Sequence, residues 1–122
     1  QLTQALIGLR PDLVYRTDAR LQEMNFGAWE GRPWADIPLG EFEVWTANFA
    51  DHAVGGHGDS VGAVMARVAQ AFDELPKAQD TVWITHAGII RAAQHALGGM
   101  PLLDAAAWPV PYCTPITFRQ PQ

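Results

Sequence analysis

Apolar residues recur at helical spacing in several parts of the chain. The strongest stripe lies in residues 61–75, where apolar side chains fall three or four positions apart, as on one face of a helix. Asp59 or Ser60 can cap this helix, and Pro76 ends it. A second amphipathic pattern in residues 1–9 predicts the end of another helix.

Three further helices follow from the same spacing. Pro38 can open the first, because the first N–H groups of a helix have no partner and proline has none to lose. The apolar face of this helix would consist of Phe42, Trp45 and Phe49. The second follows residues 86–88 and ends at the glycine pair 98–99. A short third helix is predicted for residues 102–108.

Three segments have the composition of strands. Residues 81–85, TVWIT, are apolar and β-branched without alternation, which is typical of a parallel strand buried on both faces. Residues 13–15 predict a short strand. Residues 114–118 predict a final one, at the edge of a sheet because Pro115 cannot complete a hydrogen-bond ladder. Strands that alternate with helices predict the α/β class.

The composition is typical of one folded domain. The chain has 122 residues, of which 48% are apolar and 17% are charged. It therefore has too little charge for a disordered segment and enough length for one core. With no repeat or linker in the sequence, we interpret residues 1–122 as a single domain.

Charge and cysteine content narrow the possible partners and compartment. The net charge is −5 and only eight Lys and Arg are present, so the chain lacks the basic stripe that nucleic-acid backbones and anionic membranes attract. No apolar run reaches the roughly 20 residues that span a bilayer. Cys113 is the single cysteine and has no partner for an internal disulfide. These features predict a cytoplasmic protein that binds neither nucleic acid nor membrane.

His86 is the most informative single residue. It follows the predicted strand 81–85 and precedes a helix, and ligands of open α/β sheets bind outside such strand ends. The backbone N–H groups of Ala87, Gly88 and Ile89 would form an anion site beside the imidazole. The alternative is that His86 only hydrogen-bonds a neighbouring carbonyl group.

Glu23 is the second candidate. It lies in a glycine-punctuated loop, residues 18–32, among apolar residues. Such neighbours disfavour the charged form of a carboxyl group, and a carboxyl group that keeps its proton near neutral pH can act as a general acid. The alternative is an ordinary solvated glutamate, which also applies with more force to Glu30.

A weaker hypothesis is a metal-binding module on His52, His57 and Asp59. These three residues fall within eight positions, and imidazole and carboxylate groups suit zinc and similar ions. Their spacing matches no metal motif, and the loop that holds them is rich in glycine. We therefore expect no metal at this site and no cofactor for the protein.

Two segments of the chain follow the motifs of one known family. Residues 21–31, LQEMNFGAWEG, resemble the L-x-E-x-x-F-G-x-W-E-G signature of the histidine phosphatase superfamily, in its phosphoglycerate-mutase-like and α-ribazole-phosphatase-like branch. Residues 85–91, THAGIIR, resemble its second histidine motif, [ST]-H-[GA]-G-x-x-R. Between them, residues 56–60, GHGDS, stand where members of this branch have G-G-G-E-S.

The resemblance implies a fold and a reaction. The fold would be a three-layer α/β/α sandwich with a mostly parallel sheet. The reaction would be hydrolysis of a small phosphomonoester through a phosphohistidine intermediate, with phosphoglycerate mutase activity as the weaker alternative. Glu23 would donate a proton to the leaving oxygen, and His86 would contact the phosphoryl oxygens beside the N–H groups of Ala87 and Gly88. Residues 32–58 would form a cap over the substrate.

The sequence departs from the family most severely at the nucleophile, and in smaller ways at His57 and Asp59, which stand where the family has Gly and Glu. Members carry the nucleophilic histidine in an Arg-His-Gly motif, and this sequence contains none. We therefore expect the chain to lack the first strand and helix of the fold and to be inactive by itself. The alternative is a non-catalytic remnant of the fold. In either case we expect the edge of strand 81–85 that lacks its family partner to be covered by a second copy of the chain, by a swapped segment or by residues upstream of this numbering.

Overall fold

The computed structural model describes residues 2–120, and within them five α-helices are formed. They span Leu2–Leu9 (α1), Leu39–Ala47 (α2), Val61–Asp73 (α3), Ala87–Ala96 (α4) and Leu102–Ala107 (α5). Single turns of 3-10 helix lie at Ala19–Leu21, Gly27–Trp29, Trp34–Asp36 and Val54–Gly56. All five predicted helices are confirmed, although Gln1 lies outside the described residues and Phe49, expected on the apolar face of the second helix, lies beyond its end at Ala47.

The core lies where α3 packs against α4. Val64 and Val68 of α3 and Ile89 and Ala92 of α4 are buried, and their spacing places each pair on one face of its helix. Ser60 caps α3, because its Oγ accepts a hydrogen bond of 3.1 Å from the backbone N–H of Ala63. The burial of Ile89 in this core holds the start of α4 against α3.

The predicted α/β sandwich is wrong for the part of the chain that the structure describes. Residues 2–120 contain helices, turns and irregular segments, and no strand. The three predicted strands, residues 13–15, 81–85 and 114–118, are irregular. Strand propensity cannot by itself form a sheet, because a strand needs a neighbour whose N–H and C=O groups complete the ladder.

The segment 81–85 shows this most clearly. No hydrogen bond joins the backbone N–H or C=O groups of residues 81–84 to another described residue. Val82 is 84% exposed and Ile84 is 36% exposed, whereas the prediction buried both faces of this segment. Trp83 alone packs against the core, edge-on to Phe72 with ring centroids 6.4 Å apart.

Three glycines bring two loops into direct backbone contact. A Cβ on Gly27 would lie 2.5 Å from the carbonyl oxygen of Val54, and one on Gly55 would lie 2.5 Å from the N of Ala28. Gly27 and Gly55 also have positive φ angles of 59° and 63°, which favour glycine. Gly58 has equally little space. We call this packing of residues 25–29 against residues 53–59 the glycine contact.

Aromatic side chains cover one side of the glycine contact. Their ring centroids lie 5.0 to 6.4 Å apart, the range in which aromatic pairs attract each other. Trp29 is buried at the centre of the group. The cluster consists of Phe26, Trp29, Trp34, Phe42, Trp45 and Phe49. It joins α2 and the segment that precedes it to the loop that carries Glu23.

Candidate active site

The carboxylate of Glu23 lies at the amino end of α4. Its Oε1 accepts a hydrogen bond of 2.9 Å from the backbone N–H of Met24, and its Oε2 accepts one of 3.2 Å from the backbone N–H of Gly88. A Cβ at position 88 would overlap the Glu23 carboxylate, so only glycine permits this approach. The amino end of a helix favours hydrogen-bond acceptors, and the side chain of Glu23 occupies this position.

Arg67 of α3 holds the loop that carries Glu23. Its guanidinium group donates to the carbonyl oxygens of Arg20 and Gln22, the latter at 2.7 Å. Thr85 binds the carbonyl group of Leu21, which lies between these two, because its Oγ1 donates a hydrogen bond of 2.7 Å to the carbonyl oxygen. Three consecutive carbonyl groups before Glu23 are therefore bound by side chains from elsewhere in the chain.

Asp59 holds the same loop on the other side of Glu23. Its Oδ2 accepts a hydrogen bond of 2.8 Å from the backbone N–H of Asn25, and its own N–H donates to the carbonyl oxygen of Asn25 at 2.7 Å. The guanidinium group of Arg67 lies 3.5 Å from the same carboxylate. The Asp59 carboxylate thus serves to position a loop.

The three residues of the metal hypothesis are not brought together. His57 is exposed and His52 is half-buried, and Asp59 is engaged with the loop that carries Glu23. Within residues 2–120, no three His, Cys, Asp or Glu side chains converge in a way that could hold a metal ion.

His86 caps α4 without using its side chain. Its backbone is extended, with φ −119° and ψ 161°, and its side chain makes no capping hydrogen bond. The side chain is exposed, and the imidazole has no hydrogen-bond partner among the described residues. Ala87 begins the helix. His86 and Ala87 therefore remain available to a ligand next to the point where Glu23 meets Gly88.

A cavity of about 250 Å³ adjoins this point. Glu23 and Gly88 line it, and among the described residues the only other charged one that lines it is Arg91, one turn further along α4. The remaining walls are apolar side chains of α2, α3, α4 and α5 and of the aromatic cluster. The candidate site thus combines a polar rim at the start of α4 with an apolar interior.

Arg20, at the start of the same loop, forms ion pairs with Asp18 and Glu74. Arg20 donates to Asp18 through Nε at 3.0 Å and through Nη2 at 2.8 Å, and to Glu74 through Nη1 at 2.7 Å. The hydrogen bonds from the Arg20 side chain, and then from its backbone N–H, lower the pKa of Asp18. The hydrogen bonds to Asp18 and Glu74 in turn raise the pKa of Arg20.

Comparison with known proteins identifies the family. The family model of the histidine phosphatase superfamily (branch 1) matches residues 1–120. This chain belongs to the histidine phosphatase superfamily. Its structure is similar to the crystal structure of TTHB049 from Thermus thermophilus, with a TM-score of 0.56 and 31% sequence identity over 70% of this chain and 48% of that one. This histidine phosphatase chain thus spans about half the length of TTHB049. A search of curated proteins finds no match.

The structure adds residues of the histidine phosphatase chain that sequence reasoning did not single out. Arg67 is the most important of these, and Thr85 and Arg91 had been noted only as part of a motif. One sequence signal could have drawn attention to Arg67. Arg67 directly precedes Val68, which belongs to the apolar stripe of α3. A long cationic side chain next to such a stripe can lay its aliphatic stem along the packed face.

The structure also bears on membrane association. Among the described residues, none of the helices has both the length and the apolar character required to cross a bilayer.

Proposed function

We propose that this chain contributes the acid and the phosphate-binding half of a phosphomonoesterase site. The observation that carries the proposal is the contact between the Glu23 carboxylate and the N–H of Gly88, two residues after His86. This contact supports the proposal because Glu23 and the start of α4 are the two parts of the chain to which the family resemblance assigns the acid and the phosphate contacts.

In the proposed reaction, an imidazole nitrogen attacks phosphorus while the bond to the leaving oxygen breaks. Glu23 gives its proton to that oxygen, so the product leaves as a neutral alcohol. His86 and the N–H group of Ala87 stabilise the negative charge on the other phosphoryl oxygens. The N–H of Gly88, which donates to Glu23 in this structure, joins them when the Glu23 side chain turns towards the leaving oxygen. Water then attacks the phosphohistidine and gives a proton to Glu23, and the P–N bond breaks to release phosphate and free imidazole.

Residues 32–58 would complete the site as its cap. Trp34, Trp45 and Phe49 from this segment line the cavity next to Glu23. A cap with these side chains excludes water from the leaving group, which strengthens electrostatic interactions inside the site. The nucleophile is not assigned, because the sequence contains no Arg-His-Gly.

The phosphate-binding half can be tested on the 122-residue chain. Inorganic phosphate, titrated into the ¹⁵N-labelled chain, should shift the backbone amide signals of Ala87 and Gly88 in a saturable way. His86→Ala should weaken this binding. The matched control is His57→Ala, because His57 is also exposed but lies in the loop before α3. No response at Ala87 and Gly88, or equal loss in both variants, would instead support a non-catalytic remnant.

A second variant tests the geometry of the proposed acid. Gly88→Ala adds a Cβ that overlaps the Glu23 carboxylate, so the side-chain signals of Glu23 should move. The helix itself should gain up to about 1 kcal/mol from the better helix former, which separates displacement of Glu23 from loss of folding. Gly40→Ala in α2, where a Cβ would meet open space, is the control. Unchanged Glu23 signals in Gly88→Ala would contradict the contact.

Turnover gives a further check. The chain alone is expected not to hydrolyse p-nitrophenyl phosphate, because no phosphohistidine can form without a nucleophile. Hydrolysis that disappears in His86→Ala would contradict this expectation and would mean that another histidine of the chain serves as the nucleophile.

A further inference from the structure

The cavity beside Glu23 is shaped for an apolar ligand. Its volume of about 250 Å³ lies just below the roughly 300–1,000 Å³ of pockets that hold drug-sized molecules, so it can hold a body of one or two rings. Its walls include Trp34, Phe49 and Met65. A small polyol or hydroxy acid would lose its hydration there and find few polar partners.

Two side chains that line this cavity carry hydrogen-bond donors with no acceptor among the described residues. The indole Nε1 of Trp45 is buried and unpaired among the described residues. Arg91 uses its Nε to donate to the carbonyl oxygen of Trp108 at 3.0 Å, and within residues 2–120 its two Nη groups have no hydrogen-bond or ion-pair partner. The Trp45 indole is the buried one of the two, and buried donors are normally paired. A ligand that carries an acceptor would pair them.

We propose that this cavity binds the alcohol part of the substrate, and that this part is an apolar group of one or two rings with a carbonyl or carboxylate acceptor. The inference rests on the proposed function, because Glu23 must face the leaving oxygen. Since Glu23 lines the cavity, the group attached to that oxygen extends into it. The acceptor then lies against Arg91, with the aromatic cluster around the rings.

Calorimetric titration of the 122-residue chain tests the ligand class without turnover. The probe is 6-hydroxy-2-naphthoate, which carries the alcohol oxygen, two rings and an acceptor. It should bind more tightly than 2-naphthol, which lacks the carboxylate, and glycerate should show no binding. Arg91→Gln should weaken binding of the naphthoate about tenfold, the usual effect of losing a charged hydrogen bond, and leave binding of 2-naphthol within about twofold.

A matched pair of variants locates the binding. Ala106 lines the cavity, whereas its neighbour Ala107 on α5 does not, and both are exposed. Ala106→Phe should fill the cavity and weaken binding of both ring compounds, and Ala107→Phe should change neither. Circular dichroism shows whether each variant is folded, and Arg91→Gln decides the question if Ala106→Phe is not.

The outcomes separate this inference from the proposed function. No binding of the naphthoate, or equal effects of Ala106→Phe and Ala107→Phe, would overturn the ligand class even if phosphate perturbs Ala87 and Gly88. Binding of the naphthoate without any phosphate response would keep the ligand class and overturn the phosphomonoesterase. Tight binding of glycerate would contradict the apolar assignment directly.

Discussion

Two irregular parts of this chain are held in different ways. Residues 18–32 contain no α-helix, yet Arg67, Thr85 and Asp59 bind their backbone groups and the glycine contact holds them in place. Residues 81–84 have a much stronger preference for strands, yet no hydrogen bond joins their backbone to another described residue. The position of the Glu23 loop therefore depends on contacts with residues distant in sequence. Strand propensity alone has not produced regular secondary structure at residues 81–84.

The largest expected effect is at the glycine contact. In Gly55→Ala the new Cβ would lie 2.5 Å from the N of Ala28 at a φ of 63°, so the free energy of unfolding should fall by about 3 kcal/mol. Gly56→Ala is the control, because its φ is also positive but nothing lies within 4 Å. It should lose only about 1–2 kcal/mol. Urea denaturation measures both, and equal losses would show that packing between the loops contributes nothing.

The next effect is expected at Arg67. Arg67→Met keeps the aliphatic stem but leaves the carbonyl groups of Arg20 and Gln22 without their donor. The free energy of unfolding should fall by about 2 kcal/mol, and hydrogen exchange should accelerate at residues 20–25. Arg16→Met, at an exposed site where the side chain has no hydrogen-bond partner among the described residues, should change neither. If hydrogen exchange at residues 20–25 were unchanged in Arg67→Met, side-chain contacts would not be what distinguishes residues 18–32 from residues 81–84.

A smaller, pH-dependent effect is expected at Asp18. Because Arg20 lowers the pKa of Asp18 in the folded chain, the carboxylate stabilises the fold above its unfolded pKa, about 3.9. This stability is lost as the pH falls through the lower, folded value. Asp18→Asn keeps a residue that can cap the turn and should cost less than about 1 kcal/mol at pH 7.

The sign of this effect is open to a direct check. Denaturation curves of the wild-type chain and Asp18→Asn should converge as the pH falls below about 3.9. Asp80→Asn, at an exposed site, is the control and should show no such convergence. A difference that grows in acid would contradict the role of the Arg20 guanidinium.

The smallest effect is expected in the segment that lacks a partner. Val82 is 84% exposed, so Val82→Asp should change the free energy of unfolding by no more than about 0.5 kcal/mol. The same substitution in a strand buried on both faces would cost several times more. A loss of that size would indicate that residues 81–84 pair with a second copy of the chain, which sedimentation at several concentrations would detect.

The helices could be predicted from the sequence because their signals are local. The apolar stripe of α3, the cap at Ser60 and the glycines after α4 each act within a few residues. The motif residues Glu23 and His86 were also found in this way. Their joint position at the start of α4 was expected only through the family resemblance.

Tertiary structure alone decided the rest. The predicted sheet failed because a ladder needs a second strand, and the composition of residues 81–85 contains no information about one. The roles of Arg67 and Asp59 depend on carbonyl and N–H groups at residues 20–25, far away in sequence, which no spacing rule connects to them. The sequence by itself therefore determined which segments are helical and which residues carry candidate chemistry. Contacts between distant backbone and side-chain groups decided where that chemistry lies, because such contacts exist only once the chain has folded.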